Sequence, residues 1–274
     1  MVWPIKNNVL RVTQILNVKP ENAYVKTIFF RDELCALAEP GQFIMVWIPG
    51  VDEIPLSISS IHPDGTSSVT VAVVGEATRA LTSMRSGDLI GVRGPFGRGF
   101  QIVGERVLVV GGGTGVAPLM SLIDNLIKRN IETIVINGAE SIDKIIFLSR
   151  LEELSRSGKV SVYFATEDGS YGTKGLATDV TKEVFRSTRV NSIYTCGPEG
   201  MIRNIYYMAK THLVHMQASL ERYMRCAIGI CGSCVIGKYR VCKDGPVFTM
   251  KELREVENYL GLIKYNEKGE KVQA

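Results

Sequence analysis

Short runs in which apolar and polar residues alternate, separated by Pro, Gly and Asp turns, fill the first hundred residues: Tyr24 to Phe29, Gln42 to Ile48, Ser68 to Val74 and Leu89 to Val92. A period of two predicts half-buried strands, and several at this spacing predict a small antiparallel β-barrel. Near residue 105 the rhythm changes. ERVLVV, TIVING, VSVYFATE and SIYTCG are strand-like, and each leads into a helix-period stretch: Val116 to Arg129, Lys144 to Ser157, Gly175 to Phe185 and Glu199 to Lys210. This alternation predicts an α/β domain with a parallel sheet and helices on both faces. From about Gln217 the pattern breaks again into a cysteine-bearing segment, and Lys251 to Leu260 predicts a short helix before the polar tail NEKGEKVQA. The expected division is 1–101, 102–216, 217–250 and 251–274.

Composition adds limits. The chain has 274 residues, 45% of them hydrophobic and 22% charged, enough for a large core and two domains. It contains no run of eighteen apolar residues, and its start, MVWPIKNNVL, lacks the basic flank and apolar stretch of a secretion signal. A cytoplasmic protein with no membrane partner is expected. Lys and Arg exceed Asp and Glu by 32 to 28 without a basic block, so no nucleic-acid partner is expected.

The cysteines change the picture most. Cys35 and Cys196 stand alone, but Cys226, Cys231, Cys234 and Cys242 form C-x4-C-x2-C with a fourth cysteine seven residues on. Four thiols so close in a reducing cytosol suggest metal rather than disulfides. The x4/x2 spacing is that of the plant-type [2Fe-2S] ligand loop. Zinc competes, because four thiolates also make a structural zinc site; such sites usually pair two C-x2-C knuckles, and only Cys231 and Cys234 form one here. Gly229 and Gly232 would let the loop turn tightly and direct amide N–H groups at the sulfurs.

Two glycine turns fall where strands end. GGGTGVAPL, with Gly111, Gly113 and Gly115, opens a helix whose N-terminal N–H groups suit a pyrophosphate, although the pattern is not G-x-G-x-x-G and tight packing also uses glycine. CGPEGM (196–201) ends the fourth α/β strand, at the sheet edge where open α/β folds bind ligands. Glu140 is either a ribose ligand or a solvated surface carboxylate. In the barrel, IPLSIS (54–59) places the Ser57 hydroxyl in an apolar strand, and Gly75 through Thr78 lead into a short helix whose N–H groups and Thr78 hydroxyl could hold phosphate; both stretches could equally be ordinary turns.

Together, P-x-S, G-x-x-T, GPFGRGF, GGGTGVAPL and CGPEGM resemble the ferredoxin reductase superfamily. With ERYMRCAIGICGSCVIG and VCKDGPVF added, nearly the whole chain resembles the electron transfer subunits of dihydroorotate dehydrogenase, of the archaeal kind. The resemblance implies an FAD-binding barrel, a nicotinamide dinucleotide domain and a C-terminal [2Fe-2S] segment. It implies that Pro55, Leu56, Ser57 and Ile58 border the flavin ring, that Thr70, Val71 and Ala72 belong to the same site, and that Gly75, Glu76, Ala77 and Thr78 meet the FAD phosphates. Gly111, Gly112, Gly113, Thr114 and Gly115, with Cys196, Gly197, Pro198, Glu199 and Met201, would line the NAD(H) side. The four clustered cysteines would hold the cluster. Electrons would pass from an FMN-containing catalytic subunit in a heterotetramer, through [2Fe-2S] and FAD, to NAD+, supporting pyrimidine biosynthesis; this chain would carry no catalytic residues of its own. Ile228, Ile230, Val235 and Ile236 would supply apolar area for the partner.

The chain departs from the superfamily at Ile54, where an Arg commonly pairs with the flavin phosphates, and at Ala77, which replaces a glycine common in bacterial relatives. Arg79, Arg93 or helix N–H groups are expected to supply the missing charge. A flavin and iron–sulfur subunit of an NAD-linked hydrogenase or sulfide reductase shares the same build. A non-catalytic redox sensor or zinc-stabilised binding protein is a third reading, which a colourless protein with one zinc and no iron would favour.

Overall fold

The computed structural model describes residues 5–273. Met1 to Pro4, at the start of the expected barrel domain, and Ala274, at the end of the expected tail, lie outside the described residues.

The first six strands are β1 (Arg11–Pro20), β2 (Val25–Arg31), β3 (Phe43–Ile48), β4 (Asp52–Ile61), β5 (Thr66–Ala72) and, after helix α1 (Glu76–Ser83), β6 (Leu89–Phe96). They close into a barrel in the order β1-β2-β5-β4-β3-β6, with every pair antiparallel. Closure removes exposed strand edges and buries Ile28, Ile44, Ile58, Val69 and Val92 in one interior core.

The second unit runs β7 (Arg106–Gly112), α2 (Val116–Lys128), β8 (Glu132–Ala139), α3 (Leu148–Arg156), β9 (Ser161–Thr166), β10 (Thr173–Lys174), α4 (Ala177–Ser187), β11 (Ser192–Cys196), α5 (Glu199–Thr211) and β12 (His215–Ser219). Strand β7 lies at the centre and is buried from Val107 to Gly112, as a strand covered on both faces must be. The chain builds outward from β7 through β8, β9 and β10, then crosses to β11 and β12 on the other side. The switch point therefore lies between the carboxyl ends of β7 and β11. Helix α2 is buried on nearly every side because it is wedged between this sheet and β4, where the Ser121 hydroxyl donates to the Ile58 carbonyl at 3.4 Å.

The remaining elements are β13 (Val235–Ile236), β14 (Tyr239–Arg240), α6 (Val241–Asp244), β15 (Val247–Thr249), α7 (Met250–Glu255), β16 (Ile263–Tyr265) and β17 (Lys271–Gln273). Three expectations are corrected here. The sheet is not purely parallel, because β15 from the cysteine segment pairs antiparallel with β12 and makes it seven-stranded. The polar tail is not featureless, since β17 pairs with β16 in a hairpin. Helix α3 starts at Leu148 rather than Lys144: Ile145 and Ile146 are buried in the core, Asn137 donates to the Ile146 carbonyl at 3.0 Å, and Phe147 at φ +58° breaks helical geometry.

Short α7 carries a reciprocal N-terminal capping box. The Thr249 hydroxyl accepts from the Glu252 N–H at 3.5 Å and the Glu252 carboxylate accepts from the Thr249 N–H at 2.8 Å. Among the described residues no helix is long and apolar enough to cross a membrane. Phe248 on β15 is fully buried and is the anchor that packs the cysteine segment onto the sheet. Phe248→Ala should cost about 3–5 kcal/mol of unfolding free energy in urea titrations.

Candidate flavin, nucleotide and cluster sites

Two clefts open where the barrel meets the carboxyl edge of the sheet. The larger, about 700 Å³, is lined by Gly112, Gly113 and Thr114 after β7, by Gly138 to Glu140 after β8, by Glu167, by Gly175 to Thr178, and by Pro198, Gly200 and Met201 after β11. The smaller, about 410 Å³, is lined by Pro55, Leu56 and Ser57 of β4, Thr70, Val71 and Ala72 of β5, Thr78, Thr114, and Ser219 to Met224. Ala72, Val74 and Thr114 line both, so ligands in the two clefts would touch.

The glycines of the β7 turn divide by role. Gly113, at φ +54°, faces open space and leaves the helix entrance clear for an anion. Gly111 and Gly115 do not line a cleft: a Cβ on Gly111 would lie 2.9 Å from Val116, and one on Gly115 would lie 2.4 Å from the Gly197 Cα. They let α2 close against the β11 turn. Gly197 lies beneath Gly112, and Cys196 is completely buried, with its thiol pushed up in pKa by that burial. These four residues pack behind the β7 turn without lining the larger cleft.

Glu199 also leaves the expected lining. Its carboxylate takes both terminal nitrogens of Arg222, the farther at 3.2 Å, and accepts the Gly261 N–H at 2.9 Å. The Arg222 side chain is 1% exposed, so the pair is a buried tie between α5 and the cysteine segment. Burial lowers Arg222 to about 10, which leaves it a cation at neutral pH.

In the smaller cleft, the Ser57 hydroxyl is half-buried and has no hydrogen-bond partner among the described residues. Ile58 instead is fully buried in the barrel core, because successive side chains of a strand point to opposite faces. Thr70 bonds to Thr27 at 2.9 Å and Ser59 at 3.0 Å. Gly75, Glu76 and Ala77 form the entry to α1, and Gly75 faces open space. The Thr78 hydroxyl already accepts the Val74 and Gly75 N–H groups, each at 2.9 Å, so it is committed to the entry of α1. Arg93 does not replace the missing arginine: it is held by both Glu53 oxygens at 2.7 and 2.6 Å. Arg79 is exposed on α1 with no ion pair among the described residues.

Sequence reasoning missed Ser219 to Met224. They follow β12, itself a parallel strand, so the carboxyl-edge rule that singled out residues 196–201 points to them as well. It also missed Tyr24 and Lys144, which meet across the larger cleft with the ammonium 3.9 Å from the ring centre.

The cysteine loop wraps with Gly229 at φ +77° and Gly232 at φ +75°, conformations that glycine adopts without strain. The Cys226 sulfur accepts the N–H groups of Ile230 at 3.4 Å and Cys231 at 3.5 Å; the Cys234 sulfur accepts that of Cys242 at 3.4 Å. Hydrogen bonds link Cys226 to Cys231 and Cys234 to Cys242, and electrostatic contacts join the four thiols into one group. Burial opposes ionisation of Cys231, yet hydrogen bonds from Ser233 and Cys226 outweigh it and bring the thiol to about 6. The Cys242 hydrogen bond brings Cys234 to about 7, and Cys242 is raised in return. Such polarised thiols suit metal, which binds thiolates. Cys231 is exposed, while Cys234 and Cys242 are buried, so the loop spans from surface to interior. Of the apolar residues expected around it, Ile236 is buried and Ile228 packs on the core; Ile230 is 79% exposed.

A flavin-type barrel joined to a dinucleotide-type sheet, with a thiol loop beside the shared cleft, defines a ferredoxin reductase-like oxidoreductase with an added iron–sulfur segment. Residues 221–254 match the iron-sulfur cluster binding domain of dihydroorotate dehydrogenase B, and residues 109–206 match the oxidoreductase NAD-binding domain. The chain is 41% identical over 236 residues to the probable dihydroorotate dehydrogenase B (NAD(+)) electron transfer subunit of Methanocaldococcus jannaschii, covering 85% of this chain and 88% of that one. It is 42% identical over 246 residues to the protein of the same name from Archaeoglobus fulgidus, covering 89% and 97%. A solved structure of an NADH-dependent reduced ferredoxin-NADP oxidoreductase superposes with TM-score 0.80 at 27% identity, over 92% of this chain and 93% of that one. The chain belongs to the family of electron transfer subunits of NAD-dependent dihydroorotate dehydrogenase B.

Removing Glu199 would strand the Arg222 cation. Glu199→Ala should therefore destabilise the chain by about 3–5 kcal/mol, and replacing both partners by apolar residues of similar volume should recover most of it in the same denaturation assay.

Proposed function

We propose that this chain accepts electrons released from dihydroorotate on an FMN-containing catalytic subunit and passes them through a [2Fe-2S] cluster and FAD to NAD+. The observation that carries the reading is the continuity of the three sites: the nucleotide and flavin clefts share Ala72, Val74 and Thr114, and Met224 of the flavin cleft is two residues from Cys226. The C-x4-C-x2-C spacing with a separate fourth cysteine supports two irons over one zinc, because a structural zinc site usually pairs two C-x2-C knuckles.

FAD bound in the smaller cleft would supply exchange of electrons in pairs with a nicotinamide and singly with a cluster. The residues around it prepare that exchange. Pro55, Leu56 and Val71 offer an apolar wall for a ring, and the Ser57 hydroxyl offers a hydrogen bond at its edge. The Gly75 entry to α1 and the Gly113 entry to α2 each present N–H groups to phosphate. Glu140 and Glu167 in the larger cleft disfavour a 2′-phosphate by charge repulsion, which selects NAD over NADP. Exposed Ile230 beside exposed Cys231 gives the catalytic subunit an apolar contact at the cluster. The working assembly is a cytoplasmic heterotetramer, two copies of each chain, in which each copy of this chain divides into an FAD barrel (1–101), an NAD domain (102–216), a cluster segment (217–250) and a tail (251–274).

The purified complex should hold two irons and two sulfides per copy of this chain by chemical assay. Dihydroorotate should bleach its flavin and cluster bands anaerobically, and NAD+ should restore them. Bleaching without restoration would remove NAD+ as acceptor, and no bleaching of a cofactor-loaded complex would remove dihydroorotate as donor. In steady-state assays, Glu140→Ala with Glu167→Ala should narrow the preference for NAD+ over NADP+ by about tenfold.

A further inference from the structure

The barrel reaches into the nucleotide cleft through the turn between β1 and β2. Lys144, in the connection from β8 to α3, is the sole lysine, arginine or histidine among the residues lining the larger cleft, which also carries the carboxylates of Glu140 and Glu167. No carboxylate pairs with Lys144 among the described residues. Its ammonium lies instead 3.9 Å from the ring centre of Tyr24, in that barrel turn.

Both partners stand on anchored backbone. On the sheet side, the Ile142 N–H donates to the Ser170 hydroxyl at 2.8 Å and the Lys144 N–H to the Ser141 carbonyl at 3.0 Å, and Ile145 and Ile146 follow as core residues. On the barrel side, the Tyr24 N–H donates to the Asn22 side chain at 2.9 Å, and the Tyr24 carbonyl accepts the Val73 N–H at 3.0 Å. Glu21 joins the two turns. Its buried carboxylate accepts the Thr27 hydroxyl at 2.9 Å and, from the other domain, the Phe147 N–H at 3.3 Å.

A dinucleotide brings two negative phosphates into this cleft. The start of α2 at Gly113 offers them N–H groups and a partial positive charge, while Glu140 and Glu167 repel them. A full positive charge offsets that repulsion, and Lys144, which follows the strand beside β7, is the one on the lining. An ammonium has three N–H donors, so contact with a ring face leaves donors for oxygen.

We propose that Lys144 pairs with the pyrophosphate of the nicotinamide dinucleotide and that Tyr24 is its positioning residue, an inference that rests on the NAD reading above. The flavin barrel thereby supplies part of the nucleotide site, and the Glu21 contact holds ring and ammonium in register.

The Lys144 side chain is exposed, so its replacement should leave the melting temperature unchanged. The FAD-loaded chain is titrated with ADP-ribose, which carries the pyrophosphate, and with adenosine, which does not. Lys144→Gln should weaken ADP-ribose about tenfold and leave adenosine unaffected. The affinity of wild type for ADP-ribose should fall as salt rises, and that of Lys144→Gln should fall less steeply. Tyr24→Leu should weaken ADP-ribose about threefold, and Tyr24→Phe, which keeps a ring face, should match wild type. Tyr24→Leu added to Lys144→Gln should cost nothing more, because the ring acts through the ammonium. Equal ADP-ribose affinity in wild type and Lys144→Gln, or an equal loss for adenosine, would overturn the role of Lys144 while leaving the nucleotide reading intact. Additive losses in the double variant would overturn the role of Tyr24. Failure of the FAD-loaded wild-type chain to bind either ADP-ribose or NAD+ would overturn the nucleotide reading itself.

Discussion

The buried pair between Arg222 and Glu199 is the contact on which the arrangement of the three sites depends. Glu199 opens the helix after the β11 turn, Arg222 stands at the head of the cysteine segment, and Gly261 from the C-terminal stretch donates to the same carboxylate. One carboxylate thus ties the nucleotide cleft, the flavin cleft and the end of the chain together. A pair this deeply buried adds little net stability over apolar packing, because both charges lose their water. It contributes direction: neither partner can leave without stranding the other, so the cysteine segment has one place to sit.

The barrel holds that segment from the other side. The Arg98 guanidinium donates to the Val247 carbonyl at 2.8 Å and to Glu252 at 2.8 Å, and the Arg98 N–H donates to the Gly245 carbonyl at 2.6 Å. Gly97 makes this approach possible, since a Cβ there would lie 2.5 Å from the Pro246 ring. The cluster loop is consequently clamped between barrel and sheet rather than hung from a linker. Electron transfer favours such fixed spacing.

The clefts follow from the same closure. Ser219 to Met224 run from the last parallel strand along the smaller cleft, and Cys226 follows two residues later. A short stretch of chain thus runs from the smaller cleft directly into the cysteine loop. One part of the loop, at Ile230 and Cys231, is exposed, and another, at Cys234 and Cys242, is buried.

Local patterns determined much of this chain on their own. Alternation at period two marked the barrel strands, the change of rhythm near residue 105 marked the sheet, and the spacing of four cysteines with two intervening glycines marked the cluster loop, because each is a short-range consequence of side-chain geometry. Only the tertiary structure decided which marked residues face a ligand. Gly113 lines the nucleotide cleft while Gly115 packs behind it, though they sit two residues apart in one turn. Ser57 opens to the flavin cleft while Ile58 fills the core. Glu199 binds Arg222 instead of a nucleotide, and β15 joins the sheet antiparallel. Those outcomes rest on contacts between segments far apart in sequence, which no local period encodes.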